Sequence, residues 1–242
     1  MITANSTDFV KDGLVFYFDP SVASSQWTGS AWGDLSAEGN HAVDDDTTPT
    51  TSTEFGGILV MDGVNNLLAS TDNVIASTGN PFSVTAWAKL DALDSTNNIA
   101  QNYHIQTICQ IGSRSASQWG KGINLGKREL DTWAVAKQYG TLVINSGYTV
   151  VVGVWDCVTY TFDGSNHKMY VNGILRATTT SAHDTMTDCK LLVSCWSIPT
   201  TAMTNYKTNW EGDMGPLLVY DKTLSAEEVL QNFEVSRGRF GV

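Results

Sequence analysis

The chain has 242 residues, of which 42% are hydrophobic and 16% are charged, and its net charge is −11. This composition can bury a sizeable core, and all-β sandwiches of this length are commonly single domains. The acidic balance argues against a partner that is nucleic acid or an anionic membrane, because both require clustered lysine and arginine.

The amino-terminal segment is polar. Residues 1–8 have neither a basic region nor an apolar run, so we expect no secretory signal and synthesis in the cytoplasm. No later run reaches the roughly 20 apolar residues that a membrane-spanning helix requires. Because residues 1–12 precede the first apolar strand and have little to bury, we predict an amino-terminal arm that docks on another subunit. A single domain over residues 13–242 is predicted to follow it.

Short apolar segments recur along the chain and are separated by turn-forming residues. This pattern predicts many short strands and therefore an all-β sandwich or jelly roll. The predicted strands are residues 14–18, 58–61, 82–90, 105–111, 133–137, 150–162, 168–171, 190–196 and 217–220. The pairs Asp163-Gly164 and Asn172-Gly173 predict hairpins, because both residues of a type I′ turn need positive φ.

The predicted strand 150–162 shows two different patterns. Val158, Tyr160 and Phe162 alternate with other side chains, so these three are predicted to face the core. The first five residues of the strand alternate poorly, which fits a strand covered on both faces.

The end of the chain predicts a strand followed by one amphipathic helix. Ser225 and Glu228 have the spacing of a capping box, which marks the start of the helix. Its apolar face comprises Val229, Leu230 and Phe233. Arg237 and Arg239 are predicted to lie beyond its last turn, where cations interact favourably with the helix dipole.

Six segments resemble, in order, the motifs of laminin-G-like domains in the concanavalin A-like lectin/glucanase superfamily. They are residues 13–20, 32–40, 61–68, 82–88, 155–173 and 210–241. The ending Ser-Arg-Gly-Arg-Phe-Gly resembles in particular the versions found in virion proteins of tailed phages. The resemblance implies a concanavalin A-like jelly-roll β-sandwich with one short C-terminal α-helix.

The same resemblance implies a function in a virus particle. We expect a non-enzymatic virion structural protein that displays a lectin-like domain on the particle surface, as a head decoration or a tail component. The expected partners are other virion subunits, further copies of this chain and a host-surface glycan. A free carbohydrate-binding module is the alternative, followed by a glycan-active enzyme of the same fold.

The catalytic motif of the related glucanases is incomplete. Those enzymes place three carboxylates at alternate positions of one strand. Glu211 and Asp213 supply two carboxylates, but Met214, Gly215 and Pro216 follow, so the third is missing. No histidine pair has metal-ligand spacing, and no serine-hydrolase motif is present. We therefore expect no enzymatic activity.

Three loop tryptophans are candidates for glycan binding. They are Trp27, Trp119 and Trp210, which lie mostly among small and polar residues. An indole ring in such a loop could stack on a sugar ring, and ordinary packing or a protein interface is the alternative. The tryptophans of the strand and loop motifs, Trp32, Trp87 and Trp155, are predicted to be core residues.

Asp62 is the candidate metal ligand. By resemblance it matches a position beside a structural Ca²⁺ in many laminin-G-like domains. Calcium requires several oxygen ligands, and the place where family members often carry a second acidic residue is here Gly215. A structural Ca²⁺ and a carboxylate that caps a glycine turn are the two interpretations. No other cofactor is expected.

The cysteines predict no metal or redox site. Cys109, Cys157, Cys189 and Cys195 include no Cys-x-x-Cys pair. We interpret them as buried free thiols.

Overall fold

A computed structural model of the chain describes residues 8–44, 47–92, 105–113, 122–128, 131–137, 141–194 and 209–242. These residues form two antiparallel sheets and one α-helix. The predicted all-β sandwich with a short C-terminal helix is therefore confirmed. In the described ranges, no helix has the length and apolar character needed to cross a membrane.

The elements follow one another as short strands until the final helix. In chain order they are β1 (Leu14–Phe18), β2 (Ala42–Asp44), β3 (Thr50–Ser52), β4 (Ile58–Asp62), β5 (Leu68–Asn73), β6 (Phe82–Leu90), β7 (Ile105–Gly112), β8 (Ile123–Arg128), β9 (Thr132–Lys137), β10 (Thr141–Thr149), β11 (Trp155–Phe162), β12 (His167–Val171), β13 (Ile174–Thr179), β14 (Lys190–Val193), β15 (Glu211–Tyr220) and α1 (Ala226–Phe240). Two short 3-10 helices span Ala23–Ser25 and Glu54–Gly56.

The strands divide into two sheets. Sheet A has the order β13-β12-β11-β6-β15-β4-β3, and β1 also pairs with β15. Sheet B has the order β10-β9-β8-β7-β14-β5-β2. The main core lies between the sheets, while α1 packs on the outer face of sheet A.

Strand β11 shows how the two sides of sheet A are buried. Val158, Tyr160 and Phe162 lie in the main core, as predicted. Trp155 and Cys157 point to the other side, where they pack in a cluster with the aromatic residues of α1. Both faces of this strand are therefore covered, since sheet B covers the inner face and α1 covers the outer face.

The strand predicted over residues 150–162 begins later than predicted. β11 begins at Trp155, and the preceding residues form a turn in which the Val154 N–H donates to the Val151 carbonyl at 3.1 Å. Gly153 in this turn has φ 79°, and Val151 is 52% exposed. The poor alternation thus reflects a turn and not a strand covered on both faces.

The other predicted strands are confirmed: β1 and β6 have the predicted ends, and the rest have shifted ends. The last one begins at Glu211, and the strand predicted over 190–196 ends at Val193; residues 195–196 lie outside the described residues. Six strands were not predicted: β2, β3, β5, β8, β10 and β13. Several of them are short or polar, and strand propensity alone does not reveal such segments.

The two predicted hairpins form, but only one has the predicted turn. Asn172 and Gly173 have φ values of 53° and 74°, as a type I′ turn requires. At the other hairpin only Gly164 has positive φ, at 96°. Asp163 instead accepts the N–H of Asn166 at 2.7 Å, so its side chain closes a longer turn.

The helix begins as predicted but ends later. The Ser225 hydroxyl accepts the N–H of Glu228, and the Glu228 carboxylate accepts the N–H of Ser225, which confirms the capping box. Arg237 and Arg239 lie inside the last turn, so their predicted place beyond the helix is wrong. The helix continues until Gly241, which ends it in the left-handed conformation.

The last five residues of the predicted amino-terminal arm pack on the domain itself. The Val10 N–H donates to Asn232 Oδ1 at 2.9 Å, and its carbonyl accepts the Tyr220 hydroxyl at 3.1 Å. Phe9 packs beside Val10 against the same apolar cluster. The first seven residues lie outside the described part, so an arm that docks on another subunit stays a prediction.

The buried cysteines and tryptophans match their predictions. Cys109, Cys157 and Cys189 are buried free thiols, and Cys195 lies outside the described residues. Burial raises the pKa of Cys109 to about 12, so this thiol remains protonated and unreactive. Trp32, Trp87 and Trp155 are also buried.

Candidate functional site

Trp210 is a core residue. Its side chain is 0% exposed, its ring stacks on Trp133 with centroids 5.7 Å apart, and its Nε1–H donates to the Asp213 carbonyl at 3.4 Å. A ring without an exposed face cannot stack on a sugar, so the prediction of glycan binding by Trp210 is wrong. Its neighbours in the sequence are polar and therefore indicated a loop, although Trp210 directly precedes β15.

The other two candidate tryptophans have different outcomes. Trp27 is half-buried, packs against the main core and lies 5.8 Å from the ring of Trp32. This position favours the packing alternative, and a glycan contact by Trp27 stays a prediction. Trp119 lies outside the described residues, so its role also stays a prediction.

Asp62 caps the turn that follows β4. Its Oδ1 accepts the N–H groups of Val64, Asn65 and Asn66 at 2.8, 3.1 and 3.3 Å. Gly63 within this turn has φ 69°, which favours glycine. Across the ranges that the structure describes, no three His, Cys, Asp or Glu side chains converge as a metal site. The contacts are those of the turn-cap interpretation, and bound calcium stays a prediction.

We expect Asp62→Ala to lower the free energy of unfolding by about 1 kcal/mol, because three backbone donors lose their acceptor. Asp62→Asn keeps the carbonyl oxygen and is the matched control, which should retain nearly all of the stability. Urea denaturation in chelator measures both variants. A melting temperature of the wild type that rises with calcium, and no longer rises in Asp62→Asn, would instead favour the calcium interpretation.

The two carboxylates of the incomplete glucanase motif lie on sheet A. Asp213 is buried, and its Oδ2 lies 2.6 Å from Lys89 Nζ. Its neighbour Met214 faces the main core, so Asp213 points to the outer side of the sheet. Glu211 is paired in register with Asp62. Because Lys89 neutralises Asp213, these two carboxylates do not form a free acid and nucleophile pair.

The outer face of sheet B carries a row of amide and small side chains. Across the strands, Ala136 is opposite Asn124, Asn124 is opposite Gln110, and Gln110 is opposite Leu192. Directly opposed residues of antiparallel strands point to the same face. Their neighbours along the strands lie in the main core: Val135, Leu125, Ile111 and Leu191. The row therefore points away from the core.

A second row on the same face is built from still smaller residues. Ala134 is opposite Gly126, and Gly126 is opposite Thr107. A Cβ atom at Gly126 would lie 2.1 Å from the Gln106 carbonyl oxygen, so only glycine fits. We call the two rows together the sheet B floor, which comprises Thr107, Gln110, Asn124, Gly126, Ala134 and Ala136.

Two polar atoms of the sheet B floor lack partners. Asn124 Oδ1 and Thr107 Oγ1 are buried and accept or donate no hydrogen bond. The Asn124 amide nitrogen donates only a long bond, to the Ala136 carbonyl at 3.4 Å. A buried polar atom without a partner costs about 1–3 kcal/mol, and in native proteins it calls for a ligand or an ordered water.

Sequence reasoning missed this face because β8 was not predicted. A period-2 signal was present, since Ile123 and Leu125 alternate with Asn124 and Gly126. The alternation spans only four residues and ends in Lys127, which made it too short to stand out. The segments that enter and leave β7, residues 93–104 and 114–121, lie outside the described residues.

Comparison with known proteins identifies the fold. A family profile described as the concanavalin A-like lectin/glucanases superfamily matches residues 62–230. None of the curated protein sequences matches this chain.

The solved structures that resemble this chain are distant in sequence. Domain 4 of AbnA, a GH43 extracellular arabinanase from Geobacillus stearothermophilus in complex with arabinotriose, shares 15% identity over 94% of this chain and 100% of its own, with a TM-score of 0.68. Trypanosoma rangeli sialidase with the inhibitor DANA shares 14% identity over 96% of this chain and 34% of its own, with a TM-score of 0.65.

The receptor-binding domain of botulinum neurotoxin type G shares 12% identity over 93% of this chain and 51% of its own, with a TM-score of 0.63. This chain thus spans about a third of the sialidase and half of the toxin domain. At these identities the likeness concerns the fold, which is of the lectin and carbohydrate-binding type. Since the profile covers most of the sandwich, this chain belongs to the laminin-G-like family of the concanavalin A-like lectin/glucanase superfamily.

Proposed function

We propose that this chain is a non-enzymatic carbohydrate-binding domain whose sheet B floor contacts an oligosaccharide. The observation that carries the proposal is the pair of unpartnered atoms, Asn124 Oδ1 and Thr107 Oγ1. An amide oxygen accepts a hydrogen bond from a sugar hydroxyl, and a threonine hydroxyl both accepts and donates. A sugar would therefore supply the partners that these two atoms lack in the free chain.

The sheet B floor combines small side chains with polar groups. Gly126, Ala134 and Ala136 have little or no side chain and, like the polar residues of the floor, they are buried in the free chain. Binding sites for small molecules typically combine such apolar surface with a few placed polar groups. The net charge of −11 favours a neutral glycan over an acidic one.

The comparisons support the ligand class. Domain 4 of AbnA matches this chain over its whole length and is described in complex with arabinotriose. The shared fold makes an oligosaccharide of a few units a reasonable ligand for this chain as well. Arabinotriose therefore belongs in the set of glycans to be tested.

The absence of catalysis is part of the proposal. It is supported by the Lys89–Asp213 ion pair and by the position of that pair on sheet A, away from the sheet B floor. Release of reducing sugar from a glycan panel, abolished by Glu211→Gln, would contradict it.

We also propose that this protein lies on the surface of a phage particle. The support for this location is the resemblance of residues 236–241 to endings found in virion proteins of tailed phages. The partners would then be capsid or tail subunits and further copies of the chain, and the ligand a host-surface glycan. Mass spectrometry of purified particles tests this location, which fails if the protein is made during infection but is missing from particles.

The test of the binding function uses calorimetry with neutral oligosaccharides, arabinotriose among them. We expect Asn124→Ala to weaken binding about tenfold, because a lost hydrogen bond of about 1.4 kcal/mol corresponds to that factor. Because Asn124 is buried and its amide nitrogen donates a long bond to the Ala136 carbonyl at 3.4 Å, the melting temperature of the variant is measured alongside, and binding is compared where both proteins are folded. Asn80→Ala, at an exposed position, is the matched control. Unchanged affinity in Asn124→Ala would contradict the proposal.

A further inference from the structure

The connection between β13 and β14 crosses from sheet A to sheet B. It comprises residues 180–189, and we call it the strap. Met186 of the strap is buried in the main core. Thr78 holds the middle of the strap, because its N–H donates to the Met186 carbonyl at 2.9 Å and its hydroxyl donates to the Asp184 carbonyl at 2.9 Å.

Two histidines also hold the strap. His167 of β12 has its Nε2 atom 2.6 Å from the Ser181 carbonyl oxygen, and His183 of the strap has its Nε2 atom 2.7 Å from the Thr78 carbonyl oxygen. A carbonyl oxygen only accepts, so both Nε2 atoms carry a hydrogen and donate it. His167 therefore ties the strap to sheet A, and His183 ties it to the segment before β6.

The bonds of His167 require a neutral ring. Its Nδ1 atom lies 2.7 Å from the Tyr160 hydroxyl, and because the hydrogen is on Nε2, Nδ1 accepts the hydrogen of that hydroxyl. Burial raises the pKa of Tyr160 well above its ordinary value, so the phenol keeps this hydrogen. The His167 side chain is 0% exposed and stacks on Phe162, with ring centroids 4.7 Å apart.

A second proton on His167 would disturb this arrangement. An N–H at Nδ1 would face the Tyr160 hydroxyl, which would then have to turn its own hydrogen to another acceptor. The charged ring would also be buried away from water, which is costly. Its centroid lies 5.1 Å from that of His183, so the two rings would repel each other when both are charged.

The charge balance around His167 has a net direction. Burial lowers the pKa of His167, the Ser181 carbonyl raises it, a charge on His183 lowers it, and the Asp163 carboxylate in the turn before β12 raises it, with a lowered pKa as the result. An exposed histidine has a pKa of about 6.5, so an open strap binds the proton more tightly than a closed one. The closed strap therefore loses stability as the pH falls below about 6.5 and regains it as the pH rises.

We propose that His167 and His183 form a pH-sensitive latch, which holds the strap closed while His167 is neutral and releases it when His167 gains a proton. Release separates the Ser181 carbonyl from the His167 ring and lets water reach the charged imidazole. The ring thereby recovers the hydration that the closed strap denies it. The change is reversible, because it breaks only hydrogen bonds and side-chain contacts.

The strap also contacts sheet B. Lys137 Nζ donates to the Ala182 carbonyl at 3.0 Å, and the Ser113 hydroxyl donates to the Asp188 carboxylate. Lys137 is the last residue of β9, and Ser113 directly follows β7. Release of the strap would therefore free the ends of two strands that carry part of the sheet B floor.

The test uses nuclear magnetic resonance of the full chain between about pH 8 and pH 5, the range in which histidines titrate. The ring nitrogens of His167 report its protonation. Hydrogen exchange of the Met186 and Cys189 amides, corrected for the intrinsic effect of pH, reports opening, because these N–H groups donate to Thr78 Oγ1 at 2.8 Å and to Asn73 Oδ1 at 3.0 Å. We expect their protection to fall about tenfold for each unit by which the pKa of His167 lies below its ordinary value.

An internal reference and two variants complete the test. The amide of Val158, which is buried in sheet A, should keep its protection at every pH. His167→Gln retains a donor and an acceptor but does not titrate, so its strap should stay protected over the whole range. His41→Gln replaces an exposed histidine outside the latch and should behave as wild type.

Three results would overturn the latch. The first is a strap that stays protected once His167 is charged, and the second is a strap that loses protection while His167 is still neutral. Both are measured on the wild type, so they decide the matter even if His167→Gln does not fold. The third is a folded His167→Gln variant whose strap opens at the same pH as that of the wild type.

Discussion

Arg239→Ala should lower the free energy of unfolding by about 3 kcal/mol, because the change leaves a buried charge unpaired. The Arg239 guanidinium holds Asp19 at 2.8 and 3.1 Å and also binds two carbonyl oxygens of the segment that contains Phe55. Asp19 is buried and would lose its only cationic partner among the described residues. Urea denaturation measures this loss, and we expect the slope of the unfolding free energy against urea concentration to be unchanged.

Two controls separate this ion pair from a general effect of charge. Arg239→Lys keeps the charge but loses the planar fork, so it should recover only part of the stability. Arg237→Ala removes an exposed arginine from the same turn, and its ion pair with Glu234 should contribute less than about 0.5 kcal/mol. Equal losses of unfolding free energy in Arg239→Ala and Arg237→Ala would contradict a special stabilising role of the Arg239–Asp19 ion pair.

Phe240→Ala should lower the free energy of unfolding by about 3–5 kcal/mol, the usual range for replacing a buried phenylalanine by alanine. The Phe240 ring is buried, with its centroid 4.4 Å from the rings of both Trp87 and Trp155. A Cβ atom at Gly215 would lie 2.6 Å from Phe240 Cζ, so glycine at that position makes room for the ring. The cavity left by the substitution would loosen α1 from sheet A.

Thermal denaturation and the near-ultraviolet circular dichroism of the tryptophans measure this effect. Both should change strongly in Phe240→Ala and little in Val242→Ala, which truncates an exposed side chain two residues later. A loss of less than 1 kcal/mol in Phe240→Ala would mean that the helix end contributes little to the packing of sheet A.

Local features of the sequence predicted the local structure well. The capping box of Ser225 and Glu228 depends on residues three positions apart, and the structure confirms it. The core positions of Val158, Tyr160 and Phe162 followed from the period of a strand. The ending of the chain predicted the family, yet the sequence alone did not explain the role of Arg239.

Features that depend on distant partners could not be predicted. Arg239 was interpreted through the helix dipole, whereas its partner Asp19 is 220 positions away. The polar neighbours of Trp210 suggested a loop, but the strand that follows carries it into the core. Asn124 and Thr107 become neighbours only through the pairing of β7 with β8, and such register is set by the whole sheet.

The central claim is that an oligosaccharide binds on the sheet B floor. A crystal structure of the chain with the tightest-binding neutral oligosaccharide tests it most directly. The account predicts a sugar hydroxyl that donates to Asn124 Oδ1 and a sugar oxygen within hydrogen-bond distance of Thr107 Oγ1. A bound oligosaccharide that contacts neither atom, with both atoms bonded instead to the chain itself, would contradict it.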